Sequence, residues 1–233
     1  MGDLAPIIHG ISVVALPILL AITFHEAAHG YVADRKGDPT AKYLGRLTLN
    51  PLAHIDPFGT IFLPLMLYAG PLLLAGQPGP VFGYAKPVPV NFMNLRRPKA
   101  DMVWVAAAGP LTNLGLAVVS SLALRALVAV AGPGFSGLDG GGSGFQVAEP
   151  IAEMLVYSVV INLFLMLFNL LPIPPLDGGR VLVGLLPEQG SRRVAGLEPY
   201  GMLIVLLLVF LDPLHVVQRI LGSIHAVLMN VIL

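Results

Sequence analysis

Residues His25-Glu26-Ala27-Ala28-His29 lie toward the far end of a long apolar run, and no other stretch restricts the fold as tightly. Ionisable side chains are costly at bilayer depth and persist there where they are paired or functional. On a helix of 3.6 residues per turn, His25 and His29 lie about 40° apart and Glu26 about 100° from His25. The three therefore share a face. Two imidazoles at i and i+4 can bind one zinc ion, with the glutamate between them as general base toward a water activated by the metal. Two histidines alone do not close such a site. A third protein ligand must come from a distant segment at the same depth, and that demand constrains the whole topology.

The chain of 233 residues is 56% hydrophobic and 11% charged, against about 25% charged in a soluble domain. This composition predicts an all-α polytopic membrane protein, with residues 1–233 forming one domain. A net charge of zero gives no reason to expect nucleic acid as a partner. The absence of cysteine excludes disulfides, thiolate metal ligands and a cysteine nucleophile. The first apolar run has no basic leader and no cleavage site, and it carries the His/Glu cluster, so it reads as a retained helix.

Core helices are expected at about 4–33, 101–130 and 149–171, each able to supply the roughly 20 apolar residues that cross a bilayer. Between the first two, residues 34–100 read as a re-entrant and extended region. Arg35, Lys36, Lys42 and Arg46 mark its start as cytoplasmic. Residues 43–50 and 81–91 read as short β segments, the second an edge strand because it carries Pro87 and Pro89. The glycine-rich stretch 132–146 has no Lys or Arg and suits the outside. C-terminal helices are expected within 200–233.

The candidate for the missing ligand is Asp177. It follows Pro172, Pro174 and Pro175, which end the third helix and expose backbone. Non-helical backbone at membrane depth is tolerated where it lines a cavity or is buried in protein. For Asp177 to reach His25 and His29, the apolar stretch 58–76 must form a re-entrant hairpin, or 58–95 must cross twice. A single crossing would leave the two motifs on opposite sides. The hairpin also gathers Lys86, Arg96, Arg97, Lys99, Arg180, Arg192 and Arg193 with the first basic cluster. His54, in the loop Asn50–Pro57, is weighed both as a site residue and as a structural one.

Three separated motifs stand in order: His25 to His29, Gly109-Pro110-Leu111-Thr112-Asn113, and Asn169 through Gly179. Together with Ala85 to Asn91 they resemble the site-2 protease family of intramembrane zinc metalloproteases, in the minimal form without PDZ or CBS domains. The resemblance implies a three-helix catalytic core and one Zn2+ per chain, held by His25, His29 and Asp177. It implies Glu26 as the base, Asn169 as the donor to the substrate carbonyl, and Asn113 and Gly109 along the substrate path. The implied substrate is a transmembrane protein cut in or near the bilayer, in regulated intramembrane proteolysis. The implied setting is a prokaryotic cell membrane, with the active site toward the cytoplasm; no oligomeric state is implied. The alternatives are a metal-binding membrane transporter and a non-catalytic membrane chaperone. The chain shows no repeat symmetry of the transporter kind, and neither role needs a glutamate beside two ligands.

Overall fold

A computed structural model describes residues 5–75, 83–131, 148–211 and 215–232. Helix α1 (Ala5–Lys36) is followed by a single turn, α2 (Thr40–Tyr43), and a 3-10 turn at Pro51–His54. A π-helical turn at Pro57–Phe62 runs into α3 (Leu63–Ala75), and a 3-10 turn at Phe92–Asn94 precedes α4 (Pro98–Ala131). Then come α5 (Ala148–Asn169), α6 (Asp177–Leu185), α7 (Glu188–Ala195), α8 (Glu198–Leu211) and α9 (Val216–Ile232). Helices α1, α4 and α5 are long and apolar enough to cross a membrane. They coincide with the three expected core helices. Helices α7 and α8 pass the same test only as a pair, bent by 63° at their junction.

Helix α4 is the centre of the packing and touches α1, α5 and α6. Small residues make that possible. Ala21, Ala27 and Ala33 of α1 and Ala106, Gly109 and Ala117 of α4 are buried. In lipid no hydrophobic drive pulls helices together, and close backbone approach through small side chains replaces it. A second cluster joins Val159, Leu163 and Phe168 of α5 to Val205 of α8 and to Ile220 and Ile224 of α9. The opposite face of α4 exposes Trp104, Leu111, Val118, Val119 and Leu122, a surface suited to acyl chains. At one end Lys36 bonds Asp101 at 3.0 Å and joins the end of α1 to the start of α4.

The expected β segments do not form among the described residues; Val81 and Phe82 lie outside them. In 43–50 the amides bond backward instead, those of Tyr43, Leu44 and Arg46 to the carbonyls of Pro39, Thr40 and Ala41 at 3.0, 3.1 and 2.8 Å, and side chains cap the flanking turns. Asn50 accepts from the Leu52 amide at 3.1 Å, Asp56 from the Phe58 and Gly59 amides at 3.0 and 2.7 Å, and Asn91 from the Met93 amide at 3.1 Å. Side chains of this type offer the backbone an alternative to a ladder. Residues 83–91 stay extended but bond to scattered partners. The Tyr84 amide donates to the Gly59 carbonyl at 3.0 Å, and the Lys86 amide to the His54 carbonyl at 2.9 Å. The Asn91 amide donates to Asp38 Oδ2 at 2.7 Å. Arg46 fastens the same segment by donating to the carbonyls of Ala53, Lys86 and Pro87. The chain that leaves at Thr60 is thus back beside Gly59 by Tyr84.

Candidate metal centre and active site

His25 and His29 stand one turn apart on α1, with ring centroids 4.7 Å apart and planes at 82°. Asp177 opens α6 and reaches them because the chain after Asn169 turns sharply. Gly178 permits the turn, since a Cβ there would lie 2.2 Å from the Leu170 carbonyl oxygen. Asp177 Oδ2 lies 3.2 Å from His25 Nε2 and 3.3 Å from His29 Nε2, and the two Nε2 atoms are 3.1 Å apart. All three side chains are buried. Helix α4 passes directly against the imidazoles at Gly109, where a Cβ would come within 2.5 Å of His29 Nε2 and 2.6 Å of His25 Nε2.

The hydrogen bonds assign the protons. His29 Nδ1 is 2.7 Å from the Val105 carbonyl, which can only accept, so Nδ1 donates. His25 Nδ1 is 2.5 Å from Asn113 Oδ1. The Asn113 amide nitrogen faces Asn162 Oδ1 at 2.8 Å and the Ala21 carbonyl at 3.4 Å. Its oxygen therefore faces His25, and again Nδ1 donates. A neutral imidazole carries one N–H, so both Nε2 atoms present lone pairs. Asp177 Oδ2, buried and without a hydrogen-bond donor, presents a third. Three acceptors converge on a point with no proton between them, and a cation satisfies all three. Tetrahedral ligands at about 2.0–2.1 Å from a metal stand about 3.3–3.4 Å apart, close to the separations here. Two imidazoles, a carboxylate and an open fourth position form the donor set of a catalytic zinc site. The Nδ1 partners are the supports such ligands require.

A cavity of about 350 Å³ opens onto this centre, with Glu26, Tyr84, Val88, Asn169, Arg180 and Met202 on its walls. Glu26 Oε2 accepts the Val88 amide at 2.8 Å. Asn169 lies on the wall, and its amide nitrogen donates to the Leu165 carbonyl at 2.9 Å. Arg180 sits 5.5 Å over the Phe92 ring and 3.7 Å from Glu198.

The structure thus brings His25, Glu26, His29, Asn169 and Asp177 to one cavity. Asn113 stands behind His25, at its Nδ1, and Gly109 lies against the Nε2 atoms of both imidazoles; neither is on the cavity wall. His54 is buried in the loop, with Nε2 donating to the Thr48 carbonyl at 3.0 Å, and its own carbonyl holds Lys86. Sequence reading gave no role to the Val88 amide or the Val105 carbonyl, because backbone groups carry no residue signature. It also gave none to Asn162, although an asparagine inside an apolar helix was a signal.

A buried His-His-Asp donor set beside a glutamate, held in a bundle of membrane-length helices, defines a membrane metallopeptidase. The profile of Peptidase family M50, the site-2 protease family, matches residues 13–211, and the chain belongs to that family. The chain is 40% identical over 199 residues to "Putative zinc metalloprotease YwhC" of Bacillus subtilis, covering 85% of this chain and 80% of that protein. It is 32% identical over 199 residues to "Putative zinc metalloprotease Rip2" of Mycobacterium tuberculosis, covering 84% of this chain and 65% of that protein. The Rip2 of Mycolicibacterium smegmatis is 30% identical over 198 residues, with 84% and 66% covered. No solved structure matches.

Proposed function

We propose that the chain is an intramembrane zinc endopeptidase that hydrolyses peptide bonds in or near transmembrane segments of membrane proteins. The observation that carries this reading is the convergence of three buried lone pairs from His25, His29 and Asp177, with the Glu26 carboxylate alongside. Zinc, the metal in the names of the relatives, supplies Lewis acidity when bound, lowering the pKa of water from 15.7 toward about 7 and polarising a carbonyl. Glu26 is anchored through Oε2 on the Val88 amide. That leaves Oε1 to take the proton of the attacking water and to deliver it to the amine nitrogen as the C–N bond breaks. Asn169 spends one amide hydrogen on Leu165. Its second is available to the substrate carbonyl oxygen, a contact worth about 3–4 kcal/mol in the transition state of comparable sites.

A helical substrate hides its carbonyls in its own i→i−4 bonds and must unwind locally before attack. The extended segment 83–91 offers an edge for the unwound strand. Tyr84, Lys86, Val88 and Asn91 turn their amides inward, and Pro87 and Pro89 have none, which leaves Gly83, Ala85 and Val90 as candidate donors on the outer edge. The return of the chain to Gly59 at Tyr84 supports a re-entrant 58–76. Lys36, Arg46, Lys86, Arg96 and Lys99 gather around the same loops, which supports a cytoplasmic active site.

The test measures zinc per chain and cleavage of single-span membrane proteins by detergent-purified wild type, Asp177→Ala and Glu26→Gln. About one zinc is expected in wild type and in Glu26→Gln, little in Asp177→Ala, and turnover in wild type alone. Turnover surviving Glu26→Gln, or full zinc in Asp177→Ala, overturns the reading.

A further inference from the structure

We infer that Asn113 and Asn162 form a relay that fixes the tautomer of His25, and through it the metal affinity of the centre. This rests on the metal-centre reading above. The relay begins at a group that cannot reverse its role. The Ser158 carbonyl accepts from the Asn162 amide nitrogen at 2.8 Å, with Ser158 Oγ at 3.3 Å from the same nitrogen. Ser120 Oγ holds Ser158 Oγ at 2.8 Å from the neighbouring helix. With its nitrogen turned to α5, Asn162 points its oxygen at α4, where it accepts from Asn113 at 2.8 Å. Asn113 is thereby oriented with its oxygen on His25 Nδ1.

Both asparagines are almost wholly buried, at 0% and 1% exposure, so no solvent replaces a lost partner. Reversing Asn113 would set N–H against His25 Nδ1 and oxygen against the oxygens of Asn162 and Ala21. The imidazole proton would then move to Nε2, into the space the metal needs. The relay keeps that proton on Nδ1 and the lone pair on Nε2. It spans α5, α4 and α1, and neither asparagine lines the cavity. Both are positioning residues that act through His25.

The experiment compares variants by zinc affinity, measured by chelator competition on the full chain in detergent, with the absorption spectrum of the Co2+-loaded protein as a second readout. Asn113→Leu removes the acceptor at similar volume, and a roughly ten- to hundredfold loss of affinity is expected, the usual effect of removing the hydrogen-bond partner of a metal-ligating histidine. Asn113→Asp keeps an acceptor on His25 but sets its second oxygen against the Asn162 and Ala21 oxygens, and is expected to lose less affinity than Asn113→Leu. A carboxylate has two like oxygens and nothing to orient. Asn162→Leu should therefore weaken zinc several-fold in the wild-type background, shift its Co2+ spectrum, and cause no further loss in the Asn113→Asp background.

Wild-type affinity in Asn113→Leu, or equal losses from Asn162→Leu in both backgrounds, overturns the relay. The second pattern is what a merely structural role gives. Should Asn113→Leu not fold, the Asn162→Leu pair decides alone. A wild type without zinc, or Asp177→Ala with full zinc, would instead bring down the metal-centre reading itself.

Discussion

At Gly109 the lack of a side chain is a requirement of the metal centre. A methyl there would lie within 2.6 Å of both metal-facing nitrogens, and helix α4 cannot retreat because its small residues are packed along α1. Gly109→Ala is expected to lower zinc content more than tenfold while the chain still inserts, checked by metal analysis of purified protein. Zinc retained at wild-type level would show that α4 yields there. This scale was the most legible in the sequence. The helical period converts the spacing of His25, Glu26 and His29 directly into a shared face, and Asp177 announced itself by following three prolines. Gly109 and Asn113, also four apart, were legible as a face but not as the face of a particular partner. Spacing says which residues look the same way. It does not say that they look at two imidazoles, Asn113 at the back of one and Gly109 at the metal-facing nitrogens of both.

At the scale of elements, the described parts of 34–100 behave as a clamp on Glu26, the proposed general base. Asp38 is buried and accepts from the Thr40 amide and hydroxyl, the Asn94 side chain and the Asn91 amide. Arg46 holds the carbonyls before Val88. Between these anchors the Val88 amide meets Glu26. Burial pushes the Asp38 carboxyl up, but its hydrogen bonds from Thr40, Asn94 and Asn91 outweigh that and hold it below the ordinary carboxylate range. A carboxyl lowered in the folded state contributes stability that is complete above its unfolded value, about 3.9. That stability is lost as pH falls through the folded value.

Asp38→Asn presents one oxygen and one NH2 to two sets of donors, so one set meets N–H with N–H. The variant is expected to lose about 1–3 kcal/mol at neutral pH and to show a flatter fall in thermal midpoint below pH 4. A midpoint unchanged at pH 7 would remove Asp38 from the clamp. Its helix-breaking prolines, with Pro87 and Pro89 inside the second segment, made the region read as β segments. What the pattern conceals is that the amides of Tyr43, Leu44 and Arg46 turn back to Pro39, Thr40 and Ala41, and that those of Tyr84, Lys86, Val88 and Asn91 each find a different partner.

For the molecule as a whole, the decisive relation is parity. His25 and Asp177 meet only if the chain between them returns to the level it left, and the hydrogen bond from Tyr84 to Gly59 closes that excursion. The chain has no cysteine, so single cysteines can be placed freely. At Leu44 and Met93, both exposed and on either side of α3, a membrane-impermeant maleimide is expected to react from the cytoplasmic face alone. Labelling of one from the outside and the other from the cytoplasm would end the re-entrant reading.

The three long helices were legible from hydropathy, because length and composition suffice in a bilayer. The central place of α4 was not, since it follows from which small faces meet. The donors of the centre are far apart in the order of synthesis, His25 and His29 on α1 and Asp177 roughly 150 residues later. A ribosome threading this chain into a membrane has therefore made some 150 residues beyond the first two donors before the third can join them. A chain stalled before Asp177 carries two of the three donors and cannot close the centre.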